Sequence, residues 1–283
     1  MTIEIVKIQG NDNIIVVVPT KNLKSKLAED FLKDIKSTSY FNPSVIIIES
    51  SGMEFHFSKN MNKGIKYALE FDPKYIILSN DDVRPLETNW DFNLTKKLDE
   101  NKLGYISPTL VNNRGNEVGP MIRLPSYNKV LLFTMFYSII PRFAFPFIEK
   151  INNLSFDSEK KYRDNLNHMF YEIINSQPFS IFDSNLLNEI KGFDEHFENG
   201  CEDFDLSLRV YSRNFPIGLD QNTKFLDLGS ATIGNGGFSI LSNKTKKAEA
   251  TQVKNWKTLI KKFGKMKYNS LVSENKNNIV FKI

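Results

Sequence analysis

The stretch YIILSNDD (residues 75–82) decides the predicted fold. Four apolar residues run directly into a polar turn with two carboxylates, which is typical of a buried strand whose carboxyl end reaches the surface. Two further strands precede it, IIVVV at 14–18 and VIII at 45–48, and amphipathic helices at 24–35 and 60–71 separate the three strands. This alternation predicts an α/β fold with a mostly parallel central sheet flanked by helices.

Polar residues end all three predicted strands. The strands run into PTKN (19–22), ESSG (49–52) and NDD (80–82), and two of these ends carry carboxylates. Ligands of parallel sheets bind at the carboxyl ends of the strands, so we expect a ligand site at this edge. If Asp81 and Asp82 are considered alone, the alternative to a ligand site is an acidic turn exposed to solvent.

A second acidic cluster lies in GFDEHFENGCEDFDLSLR (192–209). Glu202 and Asp203 fall at the predicted start of a helix, where the helix dipole favours negative charge and gives them a purely structural explanation. A carboxylate in a cleft is also the usual general base for an alcohol nucleophile. Both interpretations stay open at this point.

Composition limits the chemistry. The chain has 283 residues, 41% of them hydrophobic and 25% charged, with one cysteine, three histidines and a net charge of +4. These are globular values, and a single cysteine excludes an intramolecular disulfide or a cysteine zinc cluster. A bound metal would be a hard ion held by carboxylates. The mild positive charge does not predict nucleic acid as a partner.

Two segments bear on membranes. The apolar stretch 130–148 is interrupted by two prolines and an arginine, which favours a buried helix and turn over a hydrophobic lip or a transmembrane helix. The lysine-rich tail at 244–267 predicts an amphipathic helix packed on the domain, with an interfacial membrane helix as the alternative. With no apolar signal segment at the start, we expect a cytoplasmic protein, with peripheral membrane contact through both segments as the alternative.

The sequence shows no internal repeat and no linker of the Gly/Ser or Pro type. We therefore expect one domain over 1–240. A basic helical extension would follow at 241–283.

Over about residues 12–235, the sequence resembles inverting glycosyltransferases of the GT-A fold, of the family 2 type, because it contains similar motifs in the same order along the chain. The matching motifs are PTKN (19–22), ESSG (49–52), NKGI (62–65), ILSNDD (77–82) in place of the family's DxD strand, and GFDE with EDFDLSLR (192–195 and 202–209). The last block at this spacing is fairly specific, whereas the shorter motifs are weak singly. Rhamnosyltransferase-like members are among the relatives, but the similarity is too short to name the sugar.

The resemblance implies the transfer of a sugar from a UDP-, GDP- or dTDP-sugar to a hydroxyl of a glycan or lipid-linked acceptor. It also implies that the domain has a donor-binding half at about 1–110 and an acceptor-binding half at about 111–240. Asp203 would be the general base, supported by Glu202, and Arg209 would pair with these carboxylates. Asp82 would hold a Mn²⁺ or Mg²⁺ ion that bridges the diphosphate. The implied nucleotide-sugar contacts are Pro19, Thr20, Asn22, Glu49, Ser51, Asn62, Lys63, Asn80 and Asp81.

Three positions depart from the family pattern. Asn80 replaces the first Asp of DxD, Met61 replaces a frequent Arg, and Asp227 stands where a His often precedes a Gly-Ser-like turn. Asp227 would be an acceptable oxygen ligand for the metal, with a turn-capping role as the structural alternative. These departures leave open a catalytically silent relative that only binds nucleotide-sugar or glycan.

Overall fold

The computed structural model describes residues 3–50, 56–128, 130–131, 134–135, 170–198, 200–229, 246–274 and 279–281. The N-terminal half contains the predicted strand–helix alternation. Its elements are β1 (Glu4–Ile8), β2 (Asn11–Thr20), α1 (Lys26–Thr38), β3 (Pro43–Glu49), α2 (Phe57–Leu69), β4 (Tyr75–Ser79), β5 (Val83–Pro85) and α3 (Trp90–Glu100).

The second half adds seven strands and three helices among the described residues. They are β6 (Tyr105–Val111), β7 (Glu117–Gly119), β8 (Met121–Pro125), β9 (Phe170–Ile174), β10 (Phe179–Asp183), α4 (Ser184–Glu189), α5 (Glu202–Tyr211), β11 (Ile217–Asp227), α6 (Lys246–Glu274) and β12 (Ile279–Phe281). None of the helices in the described ranges combines the length and apolar character needed to cross a bilayer.

One ten-stranded sheet has the order β1-β3-β2-β4-β10-β6-β11-β12, with β5 beside β11 and β7 beside β6. Strand β2 runs parallel to both β3 and β4, as the sequence predicts. The whole sheet is mixed, because β10 enters antiparallel between β4 and β6 and β1 is antiparallel to β3. Strands β8 and β9 form a separate antiparallel pair. The α/β fold with flanking helices is thus confirmed.

Hydrophobic residues cover both faces of this sheet. On β2, Val17 belongs to one buried cluster, whereas Val16 and Val18 belong to the other. Helices α1 and α3 contribute to the second cluster, and α2, α4, α5 and α6 contribute to the first. Alternate side chains of a strand point to opposite faces of the sheet. The continuous apolar runs of the sequence therefore contribute residues to both hydrophobic clusters.

Local sequence explains how helix α1 begins and how closely helix α2 packs on the sheet. Ser25 caps α1 by accepting a hydrogen bond from the backbone N–H of Ala28. Helix α2 lies very close to the sheet, because a Cβ on Gly64 would come within 2.4 Å of both Val17 Cγ1 and Ile48 Cδ1. The glycine therefore sets the depth at which α2 packs on β2 and β3.

Two predicted elements differ from the structure. The short runs FPIG (215–218) and KFLDL (224–228) predict two strands. They form one strand, β11, whose register against β6 shifts between Asp220 and Lys224. The C-terminal helix, expected within 244–267, continues to Glu274 across a kink at Gly264, which has φ 69° and ψ 165°. Val253, Trp256, Leu259 and Ile260 are buried, so α6 packs on the domain as the sequence predicts.

Candidate active site

The carboxyl ends of β2 and β4 meet at a buried hydrogen bond. Thr20 ends β2, and its Oγ1 donates to Asp81 Oδ2 at 2.8 Å. The two residues are 2% and 8% exposed. Burial raises the pKa of Asp81, and the hydrogen bond from Thr20 opposes that rise. The structure thus brings two of the predicted donor-site residues together.

Strand β3 places its end beside the same edge. Pro19 and Thr20 pair in register with Ile48 and Glu49. Glu49 Oε2 accepts the backbone N–H of Leu23 at 2.9 Å, which holds the loop after β2. In that loop the exposed Asn22 accepts the N–H of Lys24 through its Oδ1 at 2.9 Å. Ser51, also predicted at this site, lies outside the described residues.

Arg84 holds the Asn80–Asp82 loop from behind. Its Nη1 donates to the carbonyl oxygens of Asp81 and Val83, both at 2.8 Å, and its Nε lies 3.3 Å from Asp34 Oδ2. The side chain is buried, and a guanidinium presents several donors in a fixed plane, which suits this role. No motif in the sequence marked Arg84, since the only signal was a basic residue two positions after a pair of acidic ones.

Asp82 and Asp227, the predicted metal ligands, come together through β5 and β11. Asp227 pairs in register with Val83, and the N–H of Leu228 donates to the Asp82 carbonyl at 3.0 Å. Asp227 Oδ1 also accepts the N–H of Gly229 at 2.8 Å, which is the turn-capping contact expected as the alternative. Within the described ranges, no cluster of three or more His, Cys, Asp or Glu side chains could hold a metal.

Asn62 connects α2 to the turn at 192–195. Its Oδ1 accepts the N–H of Phe193 at 2.8 Å, and its Nδ2 donates to the carbonyl of Phe193 at 2.9 Å and to Glu195 Oε1 at 3.0 Å. These bonds occupy both ends of the amide, so the structure shows a fold contact at Asn62. The nucleotide-binding roles of Asn62 and the exposed Lys63 stay predictions.

The second acidic group lies at the start of α5. The backbone N–H of Gly200 donates to Glu202 Oε2. Asp203 accepts two hydrogen bonds, one from Asn175 Nδ2 to Oδ2 at 2.6 Å and one from its neighbour Phe204 N–H to Oδ1 at 2.8 Å. Donors therefore hold both carboxyl groups in fixed positions.

Burial raises the pKa of both carboxyl groups. For Glu202 the pKa rises to about 8, first through burial and then through the charge of Asp203. The pKa of Asp203 also rises with burial, but the Asn175 and Phe204 donors oppose that rise. Two adjacent carboxyls lose their protons in separate steps. The donors to Asp203 favour its ionised form, whereas the pKa of about 8 favours protonated Glu202 near neutral pH.

Buried hydroxyl groups hold the backbone beneath Asp203. Ser207 Oγ donates to the Asp203 carbonyl at 2.9 Å, and it accepts from Tyr105 Oη at 3.0 Å and from the Ser176 N–H at 3.2 Å. This arrangement fixes the first turn of α5 against β6 and the segment before β10.

Ion pairs hold the rest of the acidic block. Arg209 Nε lies 2.7 Å from Asp205 Oδ2, and its Nη atoms donate to the carbonyls of Ile190 and Gly192 at 2.6 Å. Lys262 Nζ lies 2.6 Å from both Asp194 Oδ2 and Asp205 Oδ1. Arg209 therefore pairs with Asp205 and with backbone carbonyls, and these contacts are structural. The nearby Cys201 thiol is buried, which raises its pKa and makes it a poor nucleophile.

One short segment, residues 175–178, touches both acidic groups. The N–H of Asn80 donates to the Pro178 carbonyl at 2.9 Å, and Asn175 binds Asp203 three residues earlier in the chain. Because β10 pairs antiparallel with β4, Phe179 lies opposite Ser79, directly before the Asn80–Asp82 loop. The loop and the start of α5 therefore border the same segment. No motif in the sequence marked it.

No protein-family profile matches the chain, and no curated protein sequence matches it significantly. Among solved structures it is similar to S. aureus TarS 1–349 in complex with UDP-GlcNAc, with a TM-score of 0.53 and 11% identity over 94% of this chain and 72% of that one. Against two other TarS structures the match spans only 60% and 37% of the TarS chain.

Two further similar structures were found. GalNAc-T7 with UDP, GalNAc and Mn²⁺ has a TM-score of 0.49 at 11% identity, over 88% of this chain and 48% of that one. The mannosyltransferase PcManGT from Pyrobaculum calidifontis, in complex with GDP-Man and Mn²⁺, has a TM-score of 0.45 at 11% identity. This match covers 95% of this chain and 82% of the mannosyltransferase chain. The TarS match establishes the fold at this level of identity: the chain has the GT-A fold.

Proposed function

We propose that this protein is a metal-dependent inverting glycosyltransferase that moves a sugar from a nucleotide-diphosphate sugar to an acceptor hydroxyl. The observation that carries the proposal is the segment 175–178. Its hydrogen bonds connect it both to Asn80 in the predicted donor-side loop and to Asp203, the predicted base, which supports a shared site. Family resemblance in the motifs and the GT-A fold support the same conclusion.

The donor would bind along the carboxyl ends of β2, β3 and β4. Thr20, Asn22 and Glu49 would face the nucleoside, and Asp81 would face the ribose or the donor sugar. The buried Thr20–Asp81 bond supports this assignment because it fixes the Asp81 carboxyl in place. TarS, which shares the fold, was crystallised with UDP-GlcNAc, and this supports a nucleotide-sugar donor here.

Asp82 and Asp227 would hold a Mn²⁺ or Mg²⁺ ion, with diphosphate oxygens completing its ligands. The donor set fits, since hard divalent ions prefer carboxylate oxygens and the Asp82 carbonyl is hydrogen-bonded to the residue after Asp227. The bound ion would stabilise the negative charge that develops on the leaving diphosphate.

Asp203 would remove the proton of the acceptor hydroxyl as that oxygen attacks the anomeric carbon. Asn175 and Phe204 stabilise its ionised form, and Glu202 retains its proton, so one base and one neutral acid share the start of α5. In-line attack with a single base inverts the anomeric centre. The acceptor would be a glycan or a lipid-linked glycan.

A nucleotide-release assay tests the proposal. Wild-type protein is screened against UDP-, GDP- and dTDP-sugars with Mn²⁺ or Mg²⁺, with and without candidate acceptors. We expect Asp203→Asn to lower turnover at least about 100-fold while donor affinity is retained. Asp82→Ala should lose metal-dependent turnover, and chelation of the metal should do the same to wild type.

Asp72→Asn is the matched control, because Asp72 is an exposed turn residue. Equal turnover in Asp203→Asn and wild type would remove the proposed base. If the wild type binds donors but turns over none of them with any acceptor, the silent relative is correct instead. Asn80 in the first DxD position is the observation that favours this alternative.

Membrane contact through the tail is a separate proposal. The apolar face of α6, including Trp256 and Leu259, is buried against the domain, so the helix would meet a membrane only through exposed lysines such as Lys257 and Lys261. Most of the 130–148 segment lies outside the described residues. Flotation with anionic and neutral liposomes tests the contact, and absence of binding to both would refute it.

A further inference from the structure

Gln177 carries a buried side-chain amide. It is 7% exposed, yet neither its Oε1 nor its Nε2 has a partner within the part of the chain that the structure describes. The Oδ1 atoms of Asn80 and Asn175 are in the same situation. Buried polar groups are nearly always hydrogen-bonded, because leaving one unpaired costs free energy. One such amide and two further carbonyl oxygens without a partner, in adjoining segments, therefore indicate a ligand.

The backbone contacts locate these three amides. Gln177 lies between Asn175, whose Nδ2 binds Asp203, and Pro178, whose carbonyl accepts the N–H of Asn80. One neighbour thus reaches the proposed base, and the other reaches the loop that carries Asp81 and Asp82. In an in-line transfer, the anomeric carbon must lie between the leaving phosphate and the attacking hydroxyl beside the base. The segment that joins these two groups therefore borders the position expected for the transferred sugar.

The kind of unpaired atom points to the same part of the substrate. Three of the atoms are carbonyl oxygens, which accept hydrogen bonds, and one is an amide nitrogen, which donates. Phosphate oxygens only accept hydrogen bonds and would leave the three carbonyls unpaired. Sugar hydroxyls both donate and accept, so they can satisfy all four atoms.

We propose that Gln177, together with Asn80 and Asn175, binds the hydroxyl groups of the transferred sugar and so selects the donor. The inference rests on the proposed function and deepens it, because it assigns sugar recognition to a segment outside the family-like motifs. Gln177 has two unpaired polar atoms and no described contact with the base, so it is the residue to change.

Gln177→Met tests the inference, since methionine keeps the length of the side chain and removes both polar atoms. Calorimetry compares the affinity for a nucleoside diphosphate with that for the corresponding nucleotide-sugar, each with Mn²⁺. We expect the nucleoside diphosphate Kd to stay within about twofold, while the Kd of the nucleotide-sugar rises about tenfold or more. Turnover should also discriminate less between epimeric donors. Gln221→Met, at an exposed position of β11, is the matched control.

Thermal unfolding without ligand gives an independent readout. Because Gln177→Met removes an unpaired buried amide, we expect the Tm to rise by about 2–4 °C. A lower Tm would show that the amide has a structural role and would overturn the inference. Gln177→Leu, which is shorter, repeats both measurements if the methionine variant does not fold.

The outcomes separate the two proposals. Equal weakening of nucleoside diphosphate and nucleotide-sugar would place Gln177 at the diphosphate, and unchanged binding of both would leave it without a role; either result overturns the inference alone. Failure of the wild type to bind any nucleotide-sugar would overturn the proposed function and the inference with it.

Discussion

Glu202 shows how strongly burial affects one side chain at the start of α5. Its pKa of about 8 lies far above the ordinary value of 4.5 because the carboxyl is buried beside Asp203. Between these two pH values the folded protein holds a proton that the unfolded chain has lost. The stability of the folded state must therefore fall as pH rises through this window, and the loss is complete above about pH 8.

Glu202→Gln should remove this dependence, because glutamine carries no titrating proton. We expect the Tm of the variant, relative to wild type, to increase by several degrees between pH 5 and pH 9. Thermal unfolding across this range measures the effect, and Glu87→Gln, at an exposed loop position, is the control. Parallel curves for Glu202→Gln and wild type would contradict the raised pKa.

Single residues were predictable only where they belong to a motif. Thr20 and Asp81 could be named from the sequence because polar residues at the ends of buried strands have a known geometric consequence. Arg84 and Gln177 belong to no motif and to no periodic pattern. Arg84 binds the carbonyl of Leu27, which lies 57 residues away in the sequence. Gln177 stands out only because its side-chain amide has no hydrogen-bond partner among the described residues. Only the folded structure shows those relations.

At the scale of elements, Arg209 joins α5 to the turn before it. Its guanidinium binds the carboxylate of Asp205 and the carbonyls of Ile190 and Gly192. Lysine keeps the charge but cannot make all three contacts at once. We expect Arg209→Lys to lower the free energy of unfolding by about 2–3 kcal/mol, measured by urea denaturation.

Arg213→Lys is the matched control, because Arg213 lies four residues after Arg209 in the sequence and also forms an ion pair. Arg213 binds the exposed Glu189, and an exposed ion pair contributes at most about 1 kcal/mol. Equal effects of the two substitutions would show that the Arg209 contacts do not stabilise the block. Donor affinity should stay unchanged in Arg209→Lys, since this side chain holds the helix and not the substrate.

Helix α2 offers a second test at this scale. Alanine at Gly64 improves helix propensity by about 0.5–1 kcal/mol, but its Cβ would overlap Val17 and Ile48. Overpacking of a core costs about 1–3 kcal/mol, so the net effect should be destabilising. Urea denaturation of Gly64→Ala and of Lys66→Ala, an exposed position on the same helix, measures the difference. A more stable Gly64→Ala protein would show that the helix can move away from the sheet.

Elements with strong periodicity were predicted well, and paired edge elements were not. The helices and the parallel strands of residues 13–79 follow from their apolar patterns. Strand β1 has mixed exposure and forms only by pairing with β3, and β5 and β12 have three residues each. Strand β11 appeared as two strands because exposed residues interrupt its apolar pattern at the register shift near Asp220.

At the scale of the whole molecule, the sheet couples its two hydrophobic clusters. Ile46 and Ile48 on β3 belong to one cluster and Val45 and Ile47 to the other, so one strand serves both faces. Loss of packing on one face would expose the strand backbone that supports the other face. We therefore expect the described domain, including α6, to unfold in one cooperative transition.

The two tryptophans report on the two clusters separately. On one face of the sheet, the ring centroid of Trp90 lies 5.5 Å from those of Phe179 and Phe225. On the other face, the ring centroid of Trp256 lies 5.6 Å from that of Phe204. In Trp90→Phe and Trp256→Phe variants, fluorescence comes from one cluster at a time. Each fluorescence trace should share its urea midpoint with circular dichroism of the same variant. In the Trp90→Phe variant, where Trp256 is the reporter, a fluorescence midpoint earlier than the circular dichroism midpoint would show that α6 detaches before the sheet unfolds, and this would contradict the single transition.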